Sequence, residues 1–148
     1  ARRPFPYYNI ETKTLPERDN TYHPLPGEFV ELLMAVIKEN QMEDFVIIQS
    51  FDFRTLQYLH KHYPNIKTAM LIEADNKSSF RKQIKDIGFT PTIYSPESSL
   101  VIPDLVKECH DLNMKIIPWT VNDKQEIERF KKMGVDGIIT DYPNLFND

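Results

Sequence analysis

The sequence is short of the residues that most often carry recognisable chemistry. Its one cysteine, Cys109, among 148 residues excludes an internal disulfide framework and a cysteine-based zinc site. Four glycines (Gly27, Gly88, Gly134 and Gly137) against eleven prolines form neither a G-x-G-x-x-G turn nor a G-x-x-x-x-G-K-[ST] loop. Glycine-rich dinucleotide sites and P-loops are therefore out. Lys and Arg never run beyond two in succession, and net charge is −4 with a pI near 5.6. Nucleic-acid binding loses its usual electrostatic basis. No apolar run is long enough for a membrane span or the core of a signal peptide. What is present, 41% hydrophobic and 27% charged residues, is the composition of a folded globular chain. The length suits one domain, residues 1–148, with a real core.

Six segments rich in β-branched and aromatic residues read as strands: Tyr8–Lys13, Phe45–Ser50, Lys67–Ile72, Thr92–Tyr94, Lys115–Val121 and Gly137–Thr140. Most are near-continuously apolar, the pattern of strands buried on both faces. Helical stripes lie between them: Phe29, Leu32, Leu33, Val36 and Ile37; then Leu56, Leu59 and Tyr63; then Ile127, Phe130 and Met133. Gly88, Gly134 and Asn113 stand where left-handed helix ends are expected. Ser95-Pro96 and Asn122-x-x-Gln125 read as helix starts. Strand and helix alternate at near-even spacing, so the strands should be parallel with right-handed crossovers. An open doubly wound sheet would normally bring a glycine-rich first turn or a visible switch-point crevice, and neither is seen. A complete (β/α)8 barrel needs about 250 residues. The expectation is an α/β, TIM-type partial barrel of about six β-α units lacking the first two strands, with Ala1 as an abrupt start.

The first strand places Asn9, Glu11 and Lys13 on one face and Tyr8, Ile10 and Thr12 on the other. A Glu and a Lys on one face of a buried strand are costly unless they pair with each other or serve a ligand. At the C-terminal end of a barrel strand that face opens on the mouth, where active sites are built. Both readings stand: an ion pair at an exposed edge, or a metal-binding carboxylate beside a lysine that meets an anion. The long segment that follows carries His23, read as surface decoration ahead of a site role. Ser50 is read at the mouth and Asp52 as the cap of the next helix. Glu73 reads equally as surface and mouth. Trp119, in Ile117-Pro118-Trp119-Thr120-Val121-Asn122, is either core or an apolar wall for a ligand. Asn122 and Asp141 are read as caps, His60, His62 and His110 as solvated, and Cys109 as inert packing.

Four ordered motifs, Asn9-Ile10-Glu11-Thr12-Lys13, Gln49-Ser50-Phe51-Asp52, Trp119-Thr120-Val121-Asn122 and Gly134 to Pro143, resemble the glycerophosphodiester phosphodiesterase family. The resemblance covers nearly the whole chain. It implies a TIM-type barrel that hydrolyses glycerophosphodiesters to glycerol 3-phosphate and an alcohol, with one divalent cation, Ca²⁺ or Mg²⁺, held by three carboxylates. By the same resemblance Glu11 is one metal ligand, Lys13 meets the phosphate, and Trp119 flanks the substrate. Ser50, Glu73 and His23 remain possible site residues. The family's His-Arg-Gly start, its Glu-x-Asp pair and its second histidine match nothing in the chain, so no catalytic histidine is expected here.

From this follow the expectations that the chain alone is inactive and that its sheet edges take a partner. That partner is either a separate N-terminal segment or a second copy. Two other readings remain: a non-catalytic half-barrel that binds phosphate-bearing ligands or a partner, and a phosphodiester lyase resembling sphingomyelinase D.

Overall fold

The computed structural model describes residues 6–146. Five parallel strands form one sheet in the order of the chain: β1 (Tyr8–Glu11), β2 (Val46–Ser50), β3 (Lys67–Ile72), β4 (Ile93–Pro96) and β5 (Lys115–Ile116). Five helices alternate with them: α1 (Pro26–Glu39), α2 (Phe53–His62), α3 (Phe80–Ile87), α4 (Pro103–Asp111) and α5 (Lys124–Met133). Sequential order without a switch point is what a barrel wall requires and a doubly wound sheet lacks.

Alternation along the strands divides the sheet into two faces. Val46 and Ile48, Met70 and Ile72, Tyr94, and Ile116 face the helices and join Met34, Leu56, Leu59, Ile87, Ile127 and Phe130 in one core. The opposite face carries Asn9 and Glu11 beside Ile47 and Gln49, and Asn9 donates to the Gln49 side chain at 2.7 Å.

Helix ends follow local chemistry. Asp52 caps α2 by accepting from Arg54 N, as its sequence position implies. Gly88 and Gly134 end α3 and α5 at φ 82° and 87°, and Asn113 follows α4 at φ 56°.

Three expectations are corrected. The segment Ser95-Pro96 is not a helix start: it lies in β4, where Ser95 Oγ donates to Ile117 O, and α4 begins later at Pro103. Asn122 does not cap α5; Asp123 does, accepting from Glu126 N at 2.9 Å. Lys115–Val121 is not one continuous strand. Only Lys115–Ile116 pairs regularly, and a single parallel bridge, Glu97 to Trp119, carries the register onward.

Gly137–Thr140 is likewise not a regular strand, yet it runs beside the fifth segment. Asp136 N bonds Ile116 O, Ile139 N bonds Pro118 O, and Val121 N bonds Ile139 O. A sixth strand-like segment is thus present in outline, followed by the 3-10 turn Pro143–Phe146. No helix among the described residues is long and apolar enough to cross a membrane.

Candidate functional site

A cavity of about 390 Å³ opens at the C-terminal ends of β1, β2 and β3, walled by the segment that follows β1. Its floor is the strand end itself. Thr12 N bonds Gln49 O, which extends the parallel ladder one step past Glu11 and sets Glu11 and Lys13 on the open face. Lys13 Nζ stands 2.9 Å from Glu11 Oε1. The lysine side chain is 78% exposed and the glutamate 22%, so the ammonium reaches outward from a carboxylate set deeper in the wall. An ammonium has three donors, and one pairing with Glu11 leaves two for oxygens of a bound anion. The ion pair of the first sequence reading is present, and it lines a cavity.

Thr12 and Thr14 face the other way and anchor the strand end to α2. Thr12 Oγ1 lies 2.9 Å from Thr55 Oγ1, and Thr14 Oγ1 donates to Asp52 Oδ2 at 2.9 Å. Ser50 belongs to this buried layer. Its hydroxyl is fully buried, in the row of Val46 and Ile48, and donates to Thr12 O at 2.9 Å. The structure therefore moves Ser50 from the mouth to the helix-facing side beneath it, where it does not line the cavity.

Arg54 ties the wall to this base. Its guanidinium grips Asp19 with two bonds, at 2.6 and 3.1 Å, and Asp52 through Nε and Nη2, the latter at 2.7 Å. Burial tends to raise the Asp52 carboxyl, but the Arg54 and Thr14 hydrogen bonds outweigh it and hold it below the usual carboxylate range. The Arg54 hydrogen bonds lower Asp19 as well. Asp52 and Asp19 in turn hold the Arg54 charge more firmly than usual.

His23 lines the cavity but is not free for proton transfer. Its Nε2 accepts from Leu15 N at 2.9 Å, and Nδ1 lies 2.9 Å from Pro24 O. An occupied Nε2 lone pair makes the ring the neutral Nδ1–H form, donating to Pro24. His23 is a clamp on its own loop.

Glu73, just past β3, supplies a second carboxylate to the cavity. Trp119 does not line it. The indole donates to Ser95 O at 2.9 Å, and its ring meets Phe51 edge-on at 5.6 Å. Phe51 gives the cavity an aromatic wall, and Trp119 packs against it. Beyond Trp119, Asn122 binds Asp141 through its amide and accepts from Thr140 Oγ1 and Asp141 N, closing the ends of the fifth and sixth segments into a knot. His60 stacks on Phe89, His62 on Tyr58, and His110 pairs with Asp136, all outside the cavity. Burial pushes the Cys109 thiol up to about 12, in keeping with inert packing.

Among the described residues no three His, Cys, Asp or Glu side chains group as cation ligands. Ca²⁺ takes six to eight oxygens and Mg²⁺ six. The cavity's two carboxylates, one already paired with Lys13, do not by themselves fit a divalent cation.

Several contributors escape sequence reading. Arg18 and Tyr22 line the cavity, but both lie in an irregular loop with no periodicity to mark them. The Arg54–Asp19 contact joins residues 35 apart, and only the local Asp52-x-Arg54 spacing hints at it.

Comparison with known proteins agrees with this architecture. Residues 7–145 match the model of the Glycerophosphoryl diester phosphodiesterase family. A glycerophosphodiester phosphodiesterase of Caldanaerobacter subterraneus is 35% identical over 113 residues, 76% of this chain and 45% of the relative. One from Bacillus altitudinis is 32% identical over 92% of this chain and 52% of its own length. A solved Silicibacter pomeroyi structure of the same family designation superposes with a TM-score of 0.80 at 30% identity, over 95% of this chain and 48% of that one. The chain thus spans about half the length of the curated relatives it matches, and its parallel sheet is part of a TIM-type barrel. With the family model matched from β1 to the last helical turn, the chain belongs to the glycerophosphoryl diester phosphodiesterase family.

Proposed function

We propose that this chain supplies the phosphate-holding side of a site that hydrolyses glycerophosphodiesters to glycerol 3-phosphate and an alcohol. The observation that carries the reading is the Glu11–Lys13 pair at a strand's C-terminal end, facing the cavity, in a chain of this family. Lys13 takes a non-bridging phosphoryl oxygen with its two spare donors, where a compact positive charge offsets the negative charge that builds during displacement. Phe51, backed by Trp119, gives the glycerol or alcohol portion an apolar wall. In the reaction the P–O bond to the alcohol breaks, a water's oxygen joins phosphorus, and a proton goes to the leaving oxygen.

Glu11 is the residue here suited to ligate a Ca²⁺ or Mg²⁺ ion. Further oxygen ligands, and groups to move the protons, would come from a segment alongside the sheet edges, in the same polypeptide or in another. The test is product analysis on the assembly that contains this chain. Glu11→Gln and Lys13→Met should each lower glycerol 3-phosphate release by about 100-fold or more, the scale of losing a charged transition-state contact. Unchanged turnover in both variants refutes the assignment, and a cyclic phosphate product would point to lyase chemistry instead.

A further inference from the structure

Among the described residues, two charged side chains of the cavity wall have no ion partner, and they are opposite in sign. Glu11 pairs with Lys13, both ring nitrogens of His23 are engaged by the backbone, and Asp19 is held by Arg54. That leaves Arg18 and Glu73, both exposed and both on the cavity wall, without a salt bridge to any described residue.

Arg18 is placed with care. It ends the short 3-10 turn Pro16–Arg18, and its carbonyl accepts from Thr21 N and Tyr22 N, each at 3.1 Å. On one side Leu15 N is held by His23; on the other Asp19 is gripped by Arg54. Because Asp19 is already occupied, it does not neutralise its neighbour. The Arg18 guanidinium packs 5.6 Å from the Tyr22 ring centre, which limits its freedom and leaves the planar fork for a carboxylate or other oxyanion.

Resting on the proposed function, we infer that the alcohol released from the diester is zwitterionic, of the amino-acid type. Its carboxylate meets Arg18 and its ammonium meets Glu73, while the phosphate sits on Lys13. An alcohol bearing only an ammonium satisfies Glu73 and leaves Arg18 unmatched; an uncharged alcohol satisfies neither.

The test is titration of the 148-residue chain, followed by amide chemical shifts, with three matched ligands. Glycerophosphoserine, glycerophosphoethanolamine and glycerophosphoglycerol differ in turn by a carboxylate and an ammonium. Each exposed ion pair is worth up to about fivefold in affinity. The expected order is serine over ethanolamine over glycerol, by about three- to fivefold per step.

Arg18→Gln should abolish the serine-over-ethanolamine step alone, and Glu73→Gln the ethanolamine-over-glycerol step alone. Lys13→Gln should weaken all three ligands together. A missing step in the native chain, or a step that survives its variant, overturns the inference while Lys13-dependent binding keeps the parent reading intact. Absence of any Lys13-dependent binding, glycerol 3-phosphate included, refutes both.

Discussion

Arg54 is the residue on which the site's geometry turns, although it does not line the cavity. It joins the N-terminus of α2 to the wall through Asp52 and Asp19, with side chains only 6% and 18% exposed. Removing it leaves Asp52, the more buried of the two carboxylates, without its ion partner, so Arg54→Leu should destabilise the protein by about 1–3 kcal/mol. The pH dependence has a definite sign. Both carboxyls are held below their ordinary values in the folded state. Their contribution is therefore complete at neutral pH and is lost as pH falls through those lowered values. In Arg54→Leu an unpaired, partly buried Asp52 gains from protonation. The stability gap between native and variant should be widest near pH 7 and narrow as the medium becomes acid. Urea unfolding across that range measures it. Faster exchange of the Leu15 amide, held only by His23, would report the loosened wall.

At the scale of elements, what was legible in the sequence rests on local rules. The apolar runs of β2, β3 and β4, the αL positions at Gly88, Gly134 and Asn113, and the alternation that joins Glu11 to Lys13 each need only a few neighbouring residues. Ser50 shows a signal misread: it shares parity with Val46 and Ile48, so alternation assigns it to the helix-facing row. The Arg54 clamp and the cavity-facing Arg18 depend on how a long irregular loop folds back, which no periodicity encodes. The same elements define an exposed surface. Among the described residues β1 has a sheet neighbour on one side only. Beside it, a groove of about 430 Å³ between β1 and α1 is lined by Tyr8, Ile10, Val36, Ile37 and Met42. Leu32 and Val36 are each 58% exposed along α1. A bare parallel edge flanked by an apolar helix face favours association. The purified chain should therefore show a concentration-dependent mass by light scattering. Leu32→Gln with Val36→Glu should shift it toward the monomer without lowering the helical signal, because neither side chain is in the core.

For the molecule as a whole, the balance of groups at the cavity decides what it can do unaided. Hydrolysis of a phosphodiester needs a group to take a proton from water and one to return a proton to the leaving oxygen. Of the four histidines, only His23 reaches the cavity, and both its nitrogens are engaged by the backbone. Glu11 pairs with Lys13, and the described residues offer no triad of cation ligands. Anion capture, on the proposed reading, asks only for Lys13 and the wall beside it. Binding and turnover should therefore separate in this chain. Glycerol 3-phosphate should shift the amides around Glu11 and Lys13, while glycerophosphocholine supplied with Ca²⁺ or Mg²⁺ releases no product above background. Adding a polypeptide that contributes metal-binding carboxylates and a histidine along the β1 edge should restore release. That restoration should fail in Lys13→Met even when assembly is unimpaired. Product formation by the purified chain alone, at a rate comparable to its longer relatives, would show that the described cavity is sufficient and that the division of labour inferred from its side chains is wrong.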